Sequence, residues 1–236
     1  MKFLYLLVDF CTVIVPLVFS FHPKLNFFKN FKSFFLANIL SAVLFIGWDI
    51  FFTKIGVWGF NSNYVLGVYI FNLPIEEILF FICIPFSCVF TYHCLNLFFQ
   101  IKWNSKTEDI FVISLSTVLL TIGICFYSKL YTSATFISLS VFLLILKYFA
   151  KVNWLAKLII MYPVLLIPFF IVNGILTGSG LQQPVVWYNN SQNLEIRLLT
   201  IPVEDIFYGF ELIFLNILLY QSFKNDIIFY NRKLVI

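Results

Sequence analysis

The chain has 236 residues, of which 61% are hydrophobic and only 11% charged; its mean hydropathy is +0.97 and its formal net charge +4. A soluble domain is about half apolar and about a quarter charged, so this chain has too little charge to coat a water-facing globule, and most of its surface needs a bilayer as solvent. The excess of basic residues reads as a set of topology signals rather than as a nucleic-acid footprint.

A spanning helix needs about 20 mostly apolar residues. In chain order such runs fall at 3–21, 33–52, 75–99, 110–127, 131–149, 155–177 and 202–223. They predict an all-α polytopic membrane protein of about seven transmembrane helices, a single membrane domain over 1–236. The runs are continuously apolar, which excludes the alternation of a β-barrel. The first run holds Asp9 and has no small-residue cleavage site ahead of His22 and Pro23, so it reads as a retained helix rather than a signal peptide. The thinnest boundary is the short stretch around Ser128 to Leu130. Cys11, Cys83, Cys88, Cys94 and Cys125 sit in apolar runs as small hydrophobes, and with only His22 and His93 beside them no metal site is expected.

Across seven spans, eleven Lys and Arg fall on one side and four on the other. The positive-inside rule then predicts an outer N-terminus and a cytoplasmic C-terminus, in a bacterial inner membrane.

Two segments match each other. VWGFNSNYVLGVYIFNLPIEEILFF, residues 57–81, aligns with VWYNNSQNLEIRLLTIPVEDIFYGF, residues 186–210. Each runs from Val-Trp through Asn-rich polar residues to Pro-x-Glu-acid-Ile and then opens a long helix. Asp49 and Asn173, near the ends of the preceding helices, are loose counterparts. The expected repeats are parallel: helices 1–3 over about 1–100, a connector helix over about 109–127, and helices 5–7 over about 130–224.

Ionisable groups within spans are costly and face the bundle interior. Proline suits a first helical turn, and an acid two residues later is favoured by the free N–H groups there. A helix end needs one acid, however, and each motif supplies two, about 100° apart. Glu76, Glu77, Glu204 and Asp205 are therefore the catalytic candidates, with Asp49, Asn173, Tyr208, Glu211 and Phe80 as substrate-binding or supporting residues. Carboxylates crowded in low dielectric cannot all be ionised, which leaves a general acid beside a carboxylate base. Such a pair suits a proton-in, proton-out isomerisation. Glu204, Tyr208 and Glu211 share one face of helix 7, and Glu211 is expected either to extend the site or to bond to a neighbouring helix. Trp48, Trp58 and Trp187 read as an aromatic belt.

NLPIEEILFFICIPFSCVFTYHC (72–94), WDIFFTKIGVWGFN (48–61), NGILTG (173–178) and TIPVEDIFYGF (200–210) together resemble the heterodimeric or fused-type membrane lycopene cyclases. The resemblance implies the fused form, with both halves in one polypeptide. It also implies cyclisation of ψ end groups to β-ionone rings by the four motif acids, on lycopene or a related carotenoid within membrane lipid, in association with other carotenoid-pathway enzymes. No cofactor is expected, and the chain has no G-x-G-x-x-G fingerprint. Two rivals make different demands. A small transporter with parallel three-helix repeats would favour Gly and Pro interruptions near the midplane, which are few here. A carotenoid hydratase would use the same acid but admit water.

Overall fold

The computed structural model describes residues 1–99 and 104–233, with side chains described as far as Lys224. Among these residues the chain forms α1 (Leu4–Phe19), α2 (Phe31–Lys54), α3 (Ile75–Phe98), α4 (Ser105–Cys125), α5 (Leu130–Leu144), α6 (Leu155–Leu176) and α7 (Val203–Lys233). A 3-10 turn, Phe27–Asn30, leads into α2, and a π-turn, Ile145–Phe149, extends α5. Among the described residues six helical stretches are long and apolar enough to cross a bilayer: Phe27–Lys54, Ile75–Phe98, Ser105–Cys125, Leu130–Phe149, Leu155–Leu176 and Val203–Lys224. The chain is an integral membrane protein.

Helix α1 is shorter than its apolar run. Its 16 residues span about 24 Å at 1.5 Å per residue, less than a ~30 Å hydrocarbon core. The run continues to Phe21, but after Ser20 the backbone bonds tighten to three-residue spacing, Phe21 N–H to Val18 O (3.4 Å) and His22 N–H to Phe19 O (3.0 Å), and Pro23 follows. The expected break between the fourth and fifth runs is real, with α4 ending at Cys125 and α5 starting at Leu130. Helix α6 stays continuous through Pro163 and Pro168.

The chain divides into two compact units. The first comprises Met1–Ile55, Phe60–Phe98 and the chain from Leu212; the second comprises Gly56–Gly59 and Phe99–Glu211. In the first, α1 and α2 both pack on α3. The buried amide of Asn38 on α2 donates to Phe81 O (3.0 Å) and to Asn216 Oδ1 (3.1 Å). Such amide bonds tie helices together where lipid provides no hydrophobic drive. In the second unit α4 packs on α5, where Ser140 donates to Ser116 O at 2.8 Å. Lys147 meets Glu108 (2.8 Å) and Asp109 (3.0 Å), so α4 and α5 also pair charges at that end. Among the basic residues counted for topology, Lys102 and the side chains of Arg232 and Lys233 lie outside the described residues.

Three short ribbons complete the fold: β1 (Trp58–Phe60) with β4 (Val186–Tyr188), β2 (Tyr69–Ile70) with β3 (Leu73–Pro74), and β5 (Arg197–Leu198) with β6 (Ile201–Pro202). The last two are antiparallel hairpins of one design. Tyr69 pairs with Pro74 and Ile70 with Leu73; Arg197 pairs with Pro202 and Leu198 with Ile201. Each turns through a left-handed residue, Phe71 at φ 57° and Leu199 at φ 59°. Each turn is tied to the helix before it, by Asn72 Nδ2 to Ile50 O (2.9 Å) and Thr200 Oγ1 to Gly174 O (3.3 Å). Each hairpin ends in proline and opens directly into an acid-bearing helix. Proline costs nothing there because a first-turn N–H has no intrahelical partner.

Candidate active site

In the first unit, Glu76 and Glu77 open α3 and are buried. Glu76 Oε1 accepts the N–H of Leu66, ten residues earlier, at 2.6 Å. It therefore pins the loop ahead of the hairpin rather than serving the end of its own helix. Glu77 Oε2 accepts the hydroxyl of Tyr5 on α1 at 2.6 Å. Asp49, buried on α2, is in hydrogen-bonding contact with Glu77 and accepts Thr53 Oγ1 at 3.2 Å. Phe80 packs edge-on against the Tyr5 ring, 6.3 Å between centroids.

The second unit repeats the arrangement. Glu204 Oε1 accepts the N–H of Leu194, again ten residues earlier, at 2.7 Å, and also Thr132 Oγ1 at 2.6 Å. Asp205 Oδ1 accepts the hydroxyl of Tyr131 on α5 at 2.6 Å, and its Oδ2 accepts that of Tyr188 at 2.8 Å. In both units the other oxygen of the first acid, Oε2 of Glu76 and Oε2 of Glu204, is buried with no hydrogen-bond partner among the described residues. Glu211, two turns further along α7, accepts Ser138 Oγ at 2.7 Å, the neighbouring-helix bond anticipated for it. Tyr208 stands edge-on to Tyr131 (6.2 Å) and Trp58 (6.1 Å).

Trp58 departs from the belt reading. It is buried, 5.0 Å from the Tyr131 ring and 6.1 Å from the Tyr188 ring, in an aromatic cluster around Asp205. The amide of Asn173 donates to Phe169 O on its own helix at 3.3 Å, whereas Asp49, its loose counterpart, reaches Glu77. Tyr5, Tyr131, Tyr188 and Thr132 were not singled out from sequence. For the first two a signal was available, because the same Leu-Tyr dipeptide opens α1 (Leu4, Tyr5) and α5 (Leu130, Tyr131).

The fold and these contacts define a polytopic membrane protein that presents one donor-lined acid pair in each of two repeated units. A family model described as lycopene cyclase matches residues 2–95 and again 128–223, most of the chain and one stretch for each repeat. The chain belongs to the lycopene cyclase family, whose members are carotenoid cyclases. Neither the curated proteins nor the solved structures provide a match.

Proposed function

We propose that the chain is a lycopene β-cyclase, an intramolecular lyase or isomerase that closes ψ end groups into β-ionone rings without redox chemistry. The observation that carries this reading is the duplicated acid pair. Glu76 with Glu77, and Glu204 with Asp205, are buried, adjacent, and held by the same kinds of donor in both units.

A carboxylic acid of the site transfers its proton to the terminal double bond of the carotenoid. The resulting tertiary cation is captured by the neighbouring alkene, which closes the six-membered ring. A carboxylate then removes a ring proton, leaving the β double bond and restoring the proton count. Tyrosine hydroxyls on Glu77 and Asp205 stabilise the ionised form and orient it, since charge-assisted bonds are about twice as strong as neutral ones. Aromatic faces such as Phe80, Tyr208 and Trp58 offer the passing cation up to about 2 kcal/mol each when desolvated. Water must be kept out, or the cation is hydrated instead. A carotenoid is about as long as the ~30 Å hydrocarbon core, which suits delivery from the bilayer.

The charge bias of the loops supports an outer N-terminus and a cytoplasmic C-terminus in a bacterial inner membrane. Labelling of the 178–200 loop from outside the cell tests this orientation. Purified protein in liposomes loaded with lycopene, with nothing else added, tests the reaction. Cyclic carotenes are the expected product. A hydroxylated end group would instead indicate a hydratase, and unchanged lycopene with acid-dependent solute uptake would indicate a transporter.

A further inference from the structure

Asp9 lies on α1, one turn beyond Tyr5 and on the same face. It is 1% exposed, and among the described residues neither of its carboxyl oxygens meets a hydrogen-bond partner. The Tyr5 face of α1 is the one turned to Glu77, and Asp9 lies within charge–charge range of Glu76, Glu77 and Cys83.

Four residues beyond Tyr131, where the first unit has Asp9, stands Thr135; seven residues beyond Glu204, where the first unit has Cys83, stands Glu211. Cys83 is the residue that Asp9 approaches. Beyond the acid pair, the first unit therefore buries Asp9 on α1 and Asp49 on α2, and the second buries Glu211 on α7.

We propose that Asp9, rather than Asp49, which is already bonded to Thr53 and Glu77, is the first unit's counterpart of Glu211, and that it holds the proton given to the carotenoid end group. This rests on the cyclase reading. Glu76 and Glu77 each accept a strong donor, a backbone N–H and a tyrosine hydroxyl. Asp9 has no such donor, and a buried carboxylate without one is unfavourable, so the neutral acid is the form this setting holds. As an acid, Asp9 also finds no acceptor among the described residues. A ligand whose only basic electrons are those of a C=C bond supplies one.

The step balances. The Asp9 O–H bond breaks as a C–H bond forms at the terminal alkene carbon, using its π pair. The next alkene's π pair makes the ring C–C bond. Glu77 takes the ring proton, and that C–H pair becomes the ring double bond. The proton then passes from Glu77 back to Asp9, with no net change.

The test compares lycopene cyclisation in proteoliposomes by wild type, Asp9→Asn, and the double variant Asp9→Thr/Cys83→Glu, which moves the acid to the place it occupies in the second unit. Thermal melting in detergent checks the fold of each. Asp9→Asn is expected to lose at least 100-fold in turnover, and the double variant to recover to within about tenfold of wild type, a rescue that a purely structural role for Asp9 does not give. Asp9→Asn within threefold of wild type, or a folded double variant without activity, overturns the proposal. Where Asp9→Asn does not fold, the double variant decides alone. Wild-type protein that leaves lycopene unchanged defeats the cyclase reading itself, and that result is read before any variant is compared.

Discussion

Glu77 and Asp205 occupy one place in two copies of a motif, and each takes a tyrosine hydroxyl from the helix that opens its repeat. Removing the charge while keeping the shape isolates their chemistry. Glu77→Gln and Asp205→Asn are each expected to lower turnover at least 100-fold, the usual worth of a positioned acid or base, with the protein still folded in the membrane. Wild-type turnover by both variants would remove these residues from the mechanism. The tyrosines act through the carboxylates. Asp205 has two of them, so Tyr131→Phe or Tyr188→Phe leaves one donor in place and is expected to cost about tenfold, the equivalent of one charged hydrogen bond. The double variant is expected to cost more than the product of the two, measured as initial rates in liposomes. The acids were legible in the sequence because an ionisable group in an apolar run is costly and needs a reason. The tyrosines and Trp58 were not, because an aromatic near a helix end fits the membrane interface equally well, and only contacts across the fold tell the two apart.

At the scale of elements, two hairpins aim two helices. Their strands are two residues long, too short to leave a periodic signal in a sequence, so the Pro-x-Glu-acid motif was legible as a helix start while the ribbon before it was not. The turn residues Phe71 and Leu199 both adopt left-handed backbone, which a β-branched side chain resists most strongly. Leu199→Val is therefore expected to destabilise the protein by about 1–3 kcal/mol, and Leu199→Asn by much less, read as midpoints of thermal unfolding in detergent. Gly59 on β1 tests the ribbon that carries Trp58. A Cβ there would stand 2.4 Å from the rigid Trp187 ring. Gly59→Ala is expected to cost about 1–3 kcal/mol by overpacking and to lower activity with stability, since Trp58 flanks the tyrosines on Asp205. Helix α1 shows the limit of an apolar run as a ruler: hydropathy carried the prediction to residue 21, while the backbone tightened at Phe21 and His22 ahead of Pro23 and ended the helix first.

Over the whole molecule, the repeat was the feature the sequence carried most clearly, because duplicated chemistry survives where bulk apolar residues drift. The helices after the motifs and the loops before them correspond down to single hydrogen bonds, Leu66 with Leu194 and Asn72 with Thr200. The halves are not copies in their chemistry. Glu204 and Asp205 each collect two donors, while the first unit gathers Asp9 and Asp49 around Glu77 with Tyr5 as the hydroxyl donor. This difference comes from residues on α1, α2 and α5, outside the motifs, and so was hidden from a comparison of the motifs alone.

Expression of the intact chain in a bacterium that accumulates lycopene, followed by chromatography of the extracted pigments, tests the central claim most directly. The duplicated acid pairs predict conversion of lycopene to β-carotene or γ-carotene, with their ratio showing whether both ends are cyclised. Unchanged lycopene, with the folded protein present in the membrane, would contradict it.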